Sequence, residues 1–243
     1  MKRTILLIIF LSFMNLFFAF ENVIKDIEKM YDDLLQVNEE KRNYSIKNFI
    51  SKNNLFLNEY AECQDIYWKI ISSYSNIAYL KLANPLEILN EAKKISEKAV
   101  EMFPNSGKSY FWLGTLIGQI GQEKGVISSL FSIKPMRDYL EKAIELEPHY
   151  APTYDILSKL YMQAPRRPIS IGNKNTALKY RLKSVELDYE NNEYRWNLYE
   201  IYIDLKKFSE ASEQLNIIIE NTKYSIDEKD LLIYEKAIKK LNK

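Results

Sequence analysis

The sequence predicts an all-α fold: an α-solenoid of stacked helix pairs, with extra N-terminal helices and a C-terminal capping helix. Three observations predict it. From Glu21 to Lys243 apolar residues recur at helical spacing, with almost no strand alternation. Only 6 Gly and 7 Pro punctuate 243 residues, too few for the tight turns of a β-sandwich or barrel. Similar segments also recur at fixed offsets along the chain.

The recurrences form two sets. Glu97-Lys98-Ala99-Val100-Glu101-Met102 precedes Pro104, and Glu141-Lys142-Ala143-Ile144-Glu145-Leu146 precedes Pro148. Leu182-Lys183-Ser184-Val185-Glu186-Leu187 follows, with Tyr189 in place of the proline. The offsets are 44 and 41 residues. Tyr110-x2-Leu113-Gly114-x2-Ile117, Tyr154-x2-Leu157-Ser158-x2-Tyr161 and Arg195-x2-Leu198-Tyr199-x2-Tyr202 keep the same offsets. These residues resemble the tetratricopeptide repeat (TPR), a helix pair of about 34 residues with small residues where the helices meet. Here Gly114, Ser158, Ala92, Ala99, Ala143, Ala177 and Ala211 take those positions, and Pro104 and Pro148 end a helix. Repeats are expected at about 73–106, 107–150, 151–191 and 192–224, inside one helical domain spanning 21–243.

The ends are read separately. Lys2 and Arg3 precede an apolar run from Ile5 to Phe20, the form of a signal peptide or uncleaved N-terminal anchor over residues 1–20. The expectation is an exported, periplasmic or extracytoplasmic chain, with membrane association through that segment. Residues 21–72 are expected to form two helices with a break at Asn53-Asn54, and Cys63 is read as a small helix residue. Ser225-Ile226-Asp227-Glu228 reads as a capping box that opens a terminal helix over 225–243. Leu231, Leu232, Tyr234, Ile238 and Leu241 lie on one side of it and lysines on the other.

Two units exceed the repeat length. The first insertion, Gln119–Pro135, is apolar at Val126, Ile127, Leu130, Phe131 and Ile133 and is expected to pack as an extra helical turn. The second, Met162–Asn175, holds Pro165, Arg166, Arg167, Pro168 and Gly172, so it is expected to be extended and shaped. Insertions in repeats often mark the binding face. This Pro-rich turn leading into Gly-Asn-Lys resembles the exported TPR proteins that accompany TRAP-type solute transporters. That likeness implies an accessory that binds a small organic acid.

In the TPR pattern, groove residues lie one position either side of the packing residues. The resemblance therefore implies Phe111 and Thr115, Asp155 and Lys159, and Trp196 and Glu200 as partner- or ligand-binding residues, with Ile77 and Lys81 from the first repeat. Phe111 and Trp196 would be apolar anchors and the charged residues selectors. An i,i+4 ion pair between Asp155 and Lys159, and packing of Trp196 on a neighbouring helix, are the plainer alternatives. Arg166 and Arg167 could receive a carboxylate or phosphate. His149 reads as a turn residue. Gly118-x2-Gly121-x3-Gly125 matches no nucleotide-binding fingerprint.

Composition narrows the chemistry. Thirty-four basic and 33 acidic residues nearly cancel, so no basic field for nucleic acid exists. One Cys excludes an internal disulfide and a Cys-built zinc site. No nucleophile, metal or cofactor motif is present. The expected function is a non-catalytic scaffold whose groove holds a protein or peptide partner. The alternatives are a small-solute accessory of a TRAP-type transporter and an enzyme.

Overall fold

The computed structural model describes residues 2–225 and 227–241, with side-chain surroundings for 18–225, 227 and 229–240. Among the described residues are eleven α-helices, and an isolated parallel bridge joins Arg166 to Gly172. The chain divides into two compact units after Ser129.

The first unit contains α1 (Lys2–Gln36), α2 (Glu39–Glu59), α3 (Gln64–Tyr79), α4 (Pro85–Met102) and α5 (Gly107–Glu123). Val23, Ile27 and Leu34 of α1 share one face and enter a common core with Phe49 of α2 and Ile66, Ile70 and Tyr74 of α3. The ring of Phe20 meets Tyr60 edge to face at 5.7 Å. The expected break at Asn53-Asn54 does not occur, because α2 runs through both residues and Asn53 is fully buried in its apolar face. Residues 21–72 instead carry parts of three helices, with breaks at 60–63 and at 37–38, where the Asn38 side chain accepts a hydrogen bond from the Lys41 N–H at 3.2 Å and caps α2. Cys63 is the N-cap of α3 rather than an internal helix residue. Asn84 caps α4 just before Pro85, a favoured arrangement at a helix start. Ala92 and Ala99 are fully buried, and the Ser109 hydroxyl of α5 donates to the Phe103 carbonyl at 3.2 Å, closing the turn between α4 and α5.

Helix α6 (Val126–Leu146) starts after Gly125, whose φ of +98° suits a residue without Cβ. The apolar insertion is helical, as its pattern suggested. It packs only in part: Ile133 is buried, whereas Val126, Ile127 and Phe131 are 79, 72 and 79% exposed.

The second unit continues with α7 (Ala151–Gln163), α8 (Lys174–Leu187), α9 (Asn192–Asp204), α10 (Phe208–Thr222) and α11 (Glu228–Leu241). Here the small-residue logic is visible atom by atom. Ala177 and Ala211 are at most 1% exposed, and the Ser158 hydroxyl donates to the Ala177 carbonyl at 2.9 Å, bonding α7 to α8. The two repeats also hold the preceding turn by the same device made of different residues. Tyr154 donates its hydroxyl to the Pro148 carbonyl at 2.9 Å. At the equivalent position in the next repeat, Arg195 donates Nε to the Tyr189 carbonyl at 3.0 Å. Its guanidinium also lies over the Tyr189 ring, 3.8 Å from the centroid.

The C-terminal cap differs from the expected box. The cap of α11 is Asp227, which accepts from the Lys229 and Asp230 N–H groups at 2.9 and 3.2 Å. The Ser225 hydroxyl accepts from Asp227 N–H at 3.1 Å and donates to the Asp230 carboxylate at 3.0 Å. Ile226 and the side chains of Glu228 and Leu241, which the box and the apolar face also invoked, lie outside the described residues. Ala237 is buried and Ile233 packs on the same cluster, whereas Leu231 and Leu232 face outward.

Buried tyrosines give the fold an alkaline limit. Burial pushes the Tyr150 hydroxyl up to about 12, with the Glu147 charge adding to it. Burial pushes Tyr74 and Tyr194 up as well. The folded state thus keeps protons that the unfolded chain loses near pH ~10. Their contribution to stability is complete below that pH and is lost as pH rises through the folded values. Helical signal should therefore fall together with the appearance of tyrosinate absorbance between pH ~10 and ~12. Completion of the tyrosinate titration near pH ~10 with helicity intact would contradict this account.

Candidate functional site

The second unit carries a groove of about 550 Å³ lined by α7, α8, α9 and Lys240 of α11. Four of the expected site residues meet in or just beneath it. Helical spacing puts Asp155 and Lys159 of α7 on one face, and Trp196 and Glu200 of α9 on another. The Trp196 indole N–H donates to Glu200 Oε1 at 3.1 Å. The Trp196 ring also lies against Tyr199 at 5.3 Å between centroids and packs on the unit's core while still lining the groove. The plain packing role and the groove role therefore coexist.

Asp155 is not an open selector. It is 4% exposed, and its carboxylate is ion-paired both with Arg181 Nη1 and with Lys159 Nζ, the latter at 2.9 Å. Asn197 Nδ2 makes a long 3.5 Å contact to the same carboxylate. Lys159 also lies 3.7 Å from the exposed Glu193. Arg181 is 2% exposed, and this burial pulls its guanidinium down to about 10. It remains a cation at neutral pH, so its charge must be met inside the protein. The groove floor is thus a buried Arg181–Asp155 pair. Its walls are Lys159, Trp196, Asn197, Glu200 and Lys240.

Arg181 was missed as a site residue, although a signal existed. Ala177, Arg181, Ser184 and Val185 are the buried residues of α8, spaced i, i+4, i+7 and i+8. A cation on that stripe requires an anion from a neighbouring helix.

The other expected residues lie elsewhere. Phe111 and Thr115 belong to α5 in the first unit and are 5 and 8% exposed, with Phe111 packed edge to face on Trp112. They are core residues rather than open anchors. Ile77 is fully buried in α3, and Lys81 falls beyond that helix in a turn with φ of 53°. His149 lies in the turn between α6 and α7. Arg166 and Arg167 sit exposed at the tip of the loop between α7 and α8, followed by Ile169 at 74% exposure. The loop is closed at its base, where Gly172 N–H donates to the Pro165 carbonyl and Asn173 N–H to the Tyr161 carbonyl, each at 2.9 Å. Lys174 then pairs with Asp204 of α9 at 3.1 Å.

Among the described residues there is no cluster of His, Cys, Asp or Glu that could hold a metal ion, and no helix long and apolar enough to cross a membrane.

Comparison with known proteins finds relatives for part of the chain. The family model described as "Regulator of microtubule dynamics protein 1-3" matches residues 26–164. Regulator of microtubule dynamics protein 3 of Rattus norvegicus is 28% identical over 120 residues, 47% of this chain and 26% of that protein. The Xenopus laevis protein of the same name is 24% identical over 131 residues, 52% of this chain and 28% of that protein. The match thus spans little more than a quarter of the length of these relatives. A thermophilic TPR protein of Thermus thermophilus superposes with a TM-score of 0.60 at 16% identity, covering 87% of this chain and 98% of that one. MamA from Desulfovibrio magneticus gives 0.52 at 15% identity, covering 84 and 97%. These likenesses show the TPR fold. The relatives carry regulator names, so the expected role as a TRAP-transporter accessory finds no support in them.

Proposed function

The chain belongs to the regulator of microtubule dynamics protein 1-3 family, and from that premise we propose that it is a non-catalytic scaffold holding a protein or peptide partner in the groove of its second unit. The observation that carries the reading is the groove itself. Trp196 stands partly exposed between Lys159 and Glu200, above a floor whose charges are already paired. An apolar anchor ringed by polar groups is the common arrangement of a binding hot spot. The names of the relatives support a partner from the microtubule system. Trp196, Glu200 and Arg181 lie beyond residue 164, where the family match ends, so the groove is argued from geometry and the partner class from the family.

The test is capture of partners by the tagged full chain from gently cross-linked cells, alongside co-sedimentation with microtubules. Trp196→Ala and Lys159→Glu should each lower the captured partner roughly tenfold or more, the scale of a hot-spot truncation. If both variants retain every wild-type partner, the groove is not the binding face. Co-sedimentation that is indifferent to both substitutions would move the binding face to residues 26–164.

A further inference from the structure

Two connections at one end of the second unit share a composition. In the loop from α7 to α8, Arg166 and Arg167 stand exposed beside Ile169. The turn from α9 to α10 sets exposed Lys206 and Lys207 beside Phe208, which is 61% exposed. The two segments lie at the same end, because Lys174 at the base of the loop pairs with Asp204, two residues before Lys206. Lys240 of α11 reaches this end as well, lining the groove with Ile203 and Asp204. The loop tip has a fixed shape: the Ile169 and Ser170 N–H groups donate to the Arg166 carbonyl at 3.1 and 3.3 Å. Ile169 is thus held out by a closed turn.

The charges at this end do not cancel. Asp204 is taken by Lys174, and Glu210 by Lys207 at 3.0 Å. Among the described residues, Arg166, Arg167, Lys206 and Lys240 have no ion-pair partner. The remaining acids, Glu200 and Glu213, sit a turn or more back along α9 and α10, so the outermost charges are basic. The opposite end has the reverse sign. Helix α8 has 14 residues and runs about 21 Å, from the loop to a turn that carries Asp188 and Glu190 and no lysine or arginine. The first unit, taken by itself, repeats the pairing of base with apolar residue, where exposed Tyr79 and Leu80 precede exposed Lys81.

We propose that this end of the second unit docks on an anionic phospholipid bilayer. Ile169 and Phe208 enter the headgroup layer, and Arg166, Arg167 and Lys206 meet the acidic lipid. Apolar burial and attraction of basic residues to anionic headgroups add at such an interface. The pairing of each basic segment with an exposed apolar residue separates this occupant from an acidic polypeptide, which would use the charges and leave Ile169 and Phe208 in water. The acidic turn at the far end of α8 is repelled by the same surface and so sets the direction of approach.

The test uses the full chain with Cys63→Ser, so that one introduced cysteine carries an environment-sensitive dye, with circular dichroism as the check that each variant stays helical. Dye at Ile169→Cys should shift to the blue with vesicles of equal phosphatidylcholine and phosphatidylserine, and far less with phosphatidylcholine alone. Dye at Glu190→Cys, at the opposite end, should not shift. Insertion of the apolar run Ile5–Phe20 would be common to both labels and both vesicles, so it cannot imitate this pattern. Arg166→Glu with Arg167→Glu should lower the ratio of inserted to free tips roughly thirtyfold or more, the loss expected for two basic residues at an anionic surface. Trp196→Ala should leave the shift unchanged, which separates this surface from the groove. No shift at Ile169, equal shifts at the two labels or on the two vesicles, or a shift that survives the double arginine change overturns the proposal. So does loss of the shift in Trp196→Ala. An equal shift with soluble polyglutamate in place of vesicles also overturns it, in favour of an acidic protein.

Discussion

Asp155→Ala should destabilise the second unit by about 3–5 kcal/mol, the cost of leaving a buried charge without its partner. The asymmetry of the cluster decides which half of the pair matters more. Asp155 is bound by two cations, Arg181 and Lys159. Removing Arg181 therefore leaves a carboxylate that Lys159 still neutralises. Removing Asp155 instead leaves a guanidinium at 2% exposure with no other ion-pair partner among the described residues. Arg181→Ala should thus cost less than Asp155→Ala. The double change Asp155→Leu with Arg181→Met should recover most of the loss, since paired apolar replacements of similar volume are often neutral or stabilising. Urea unfolding of the four proteins measures this directly. Equal effects of the two single changes would show that Lys159 does not neutralise the carboxylate. A double variant no better than Asp155→Ala would show that packing, not charge, holds the floor together.

Gly172→Ala should cost about 1–3 kcal/mol or more, on the scale of an overpacked site. A Cβ on this residue would stand 2.0 Å from the Ala164 carbonyl oxygen and 2.8 Å from that of Pro165. Both obstacles are backbone atoms, which cannot swing aside as a side chain could. The two strands of the loop would have to part, breaking the hydrogen bonds to the Pro165 and Tyr161 carbonyls that close its base. Asn173 would be displaced with them, although its side chain caps α8 by accepting from the Thr176 N–H at 3.0 Å. Thermal unfolding reads the loss. Gly125→Ala is the useful comparison, because nothing lies within 4 Å of its would-be Cβ and only its φ of +98° opposes the change. If both substitutions cost the same, crowding at Gly172 is not the determinant.

Much of the fold was legible because its rules are local. Small residues at fixed offsets identify close helix contacts wherever the helices later meet, and Ala177, Ala211 and Ser158 all lie in such contacts. The misreadings arose where a local signal was overruled at a distance. Asn53-Asn54 looks like a turn, yet Asn53 faces the core and α2 continues through it. Val126, Ile127 and Phe131 look like packing residues, yet each is more than 70% exposed. Ser225 resembles an N-cap, but Asp227 binds the free N–H groups two residues later. The groove was half legible: the resemblance to the repeat implies Lys159, Trp196 and Glu200 as groove residues, and all three line it. The same resemblance implies Asp155, Phe111 and Thr115, without showing that they are buried. Arg181 required knowing which acid on another helix would meet it.

The uninterrupted course of α1 has a mechanical consequence. One continuous helix contains both the apolar run that ends at Phe20 and the residues Val23, Ile27 and Leu34 that are embedded in the first unit's core. No hinge separates the two parts. At ~1.5 Å per residue, the stretch before Phe20 amounts to a rod of roughly 27 Å. Anything that grips its far end would therefore set the direction in which the first unit points, as a mast fixes the heading of what is bolted to its foot. Cutting the chain just after Phe20 would also remove the ring that lies on Tyr60, so the rod and the body it carries are built as one piece.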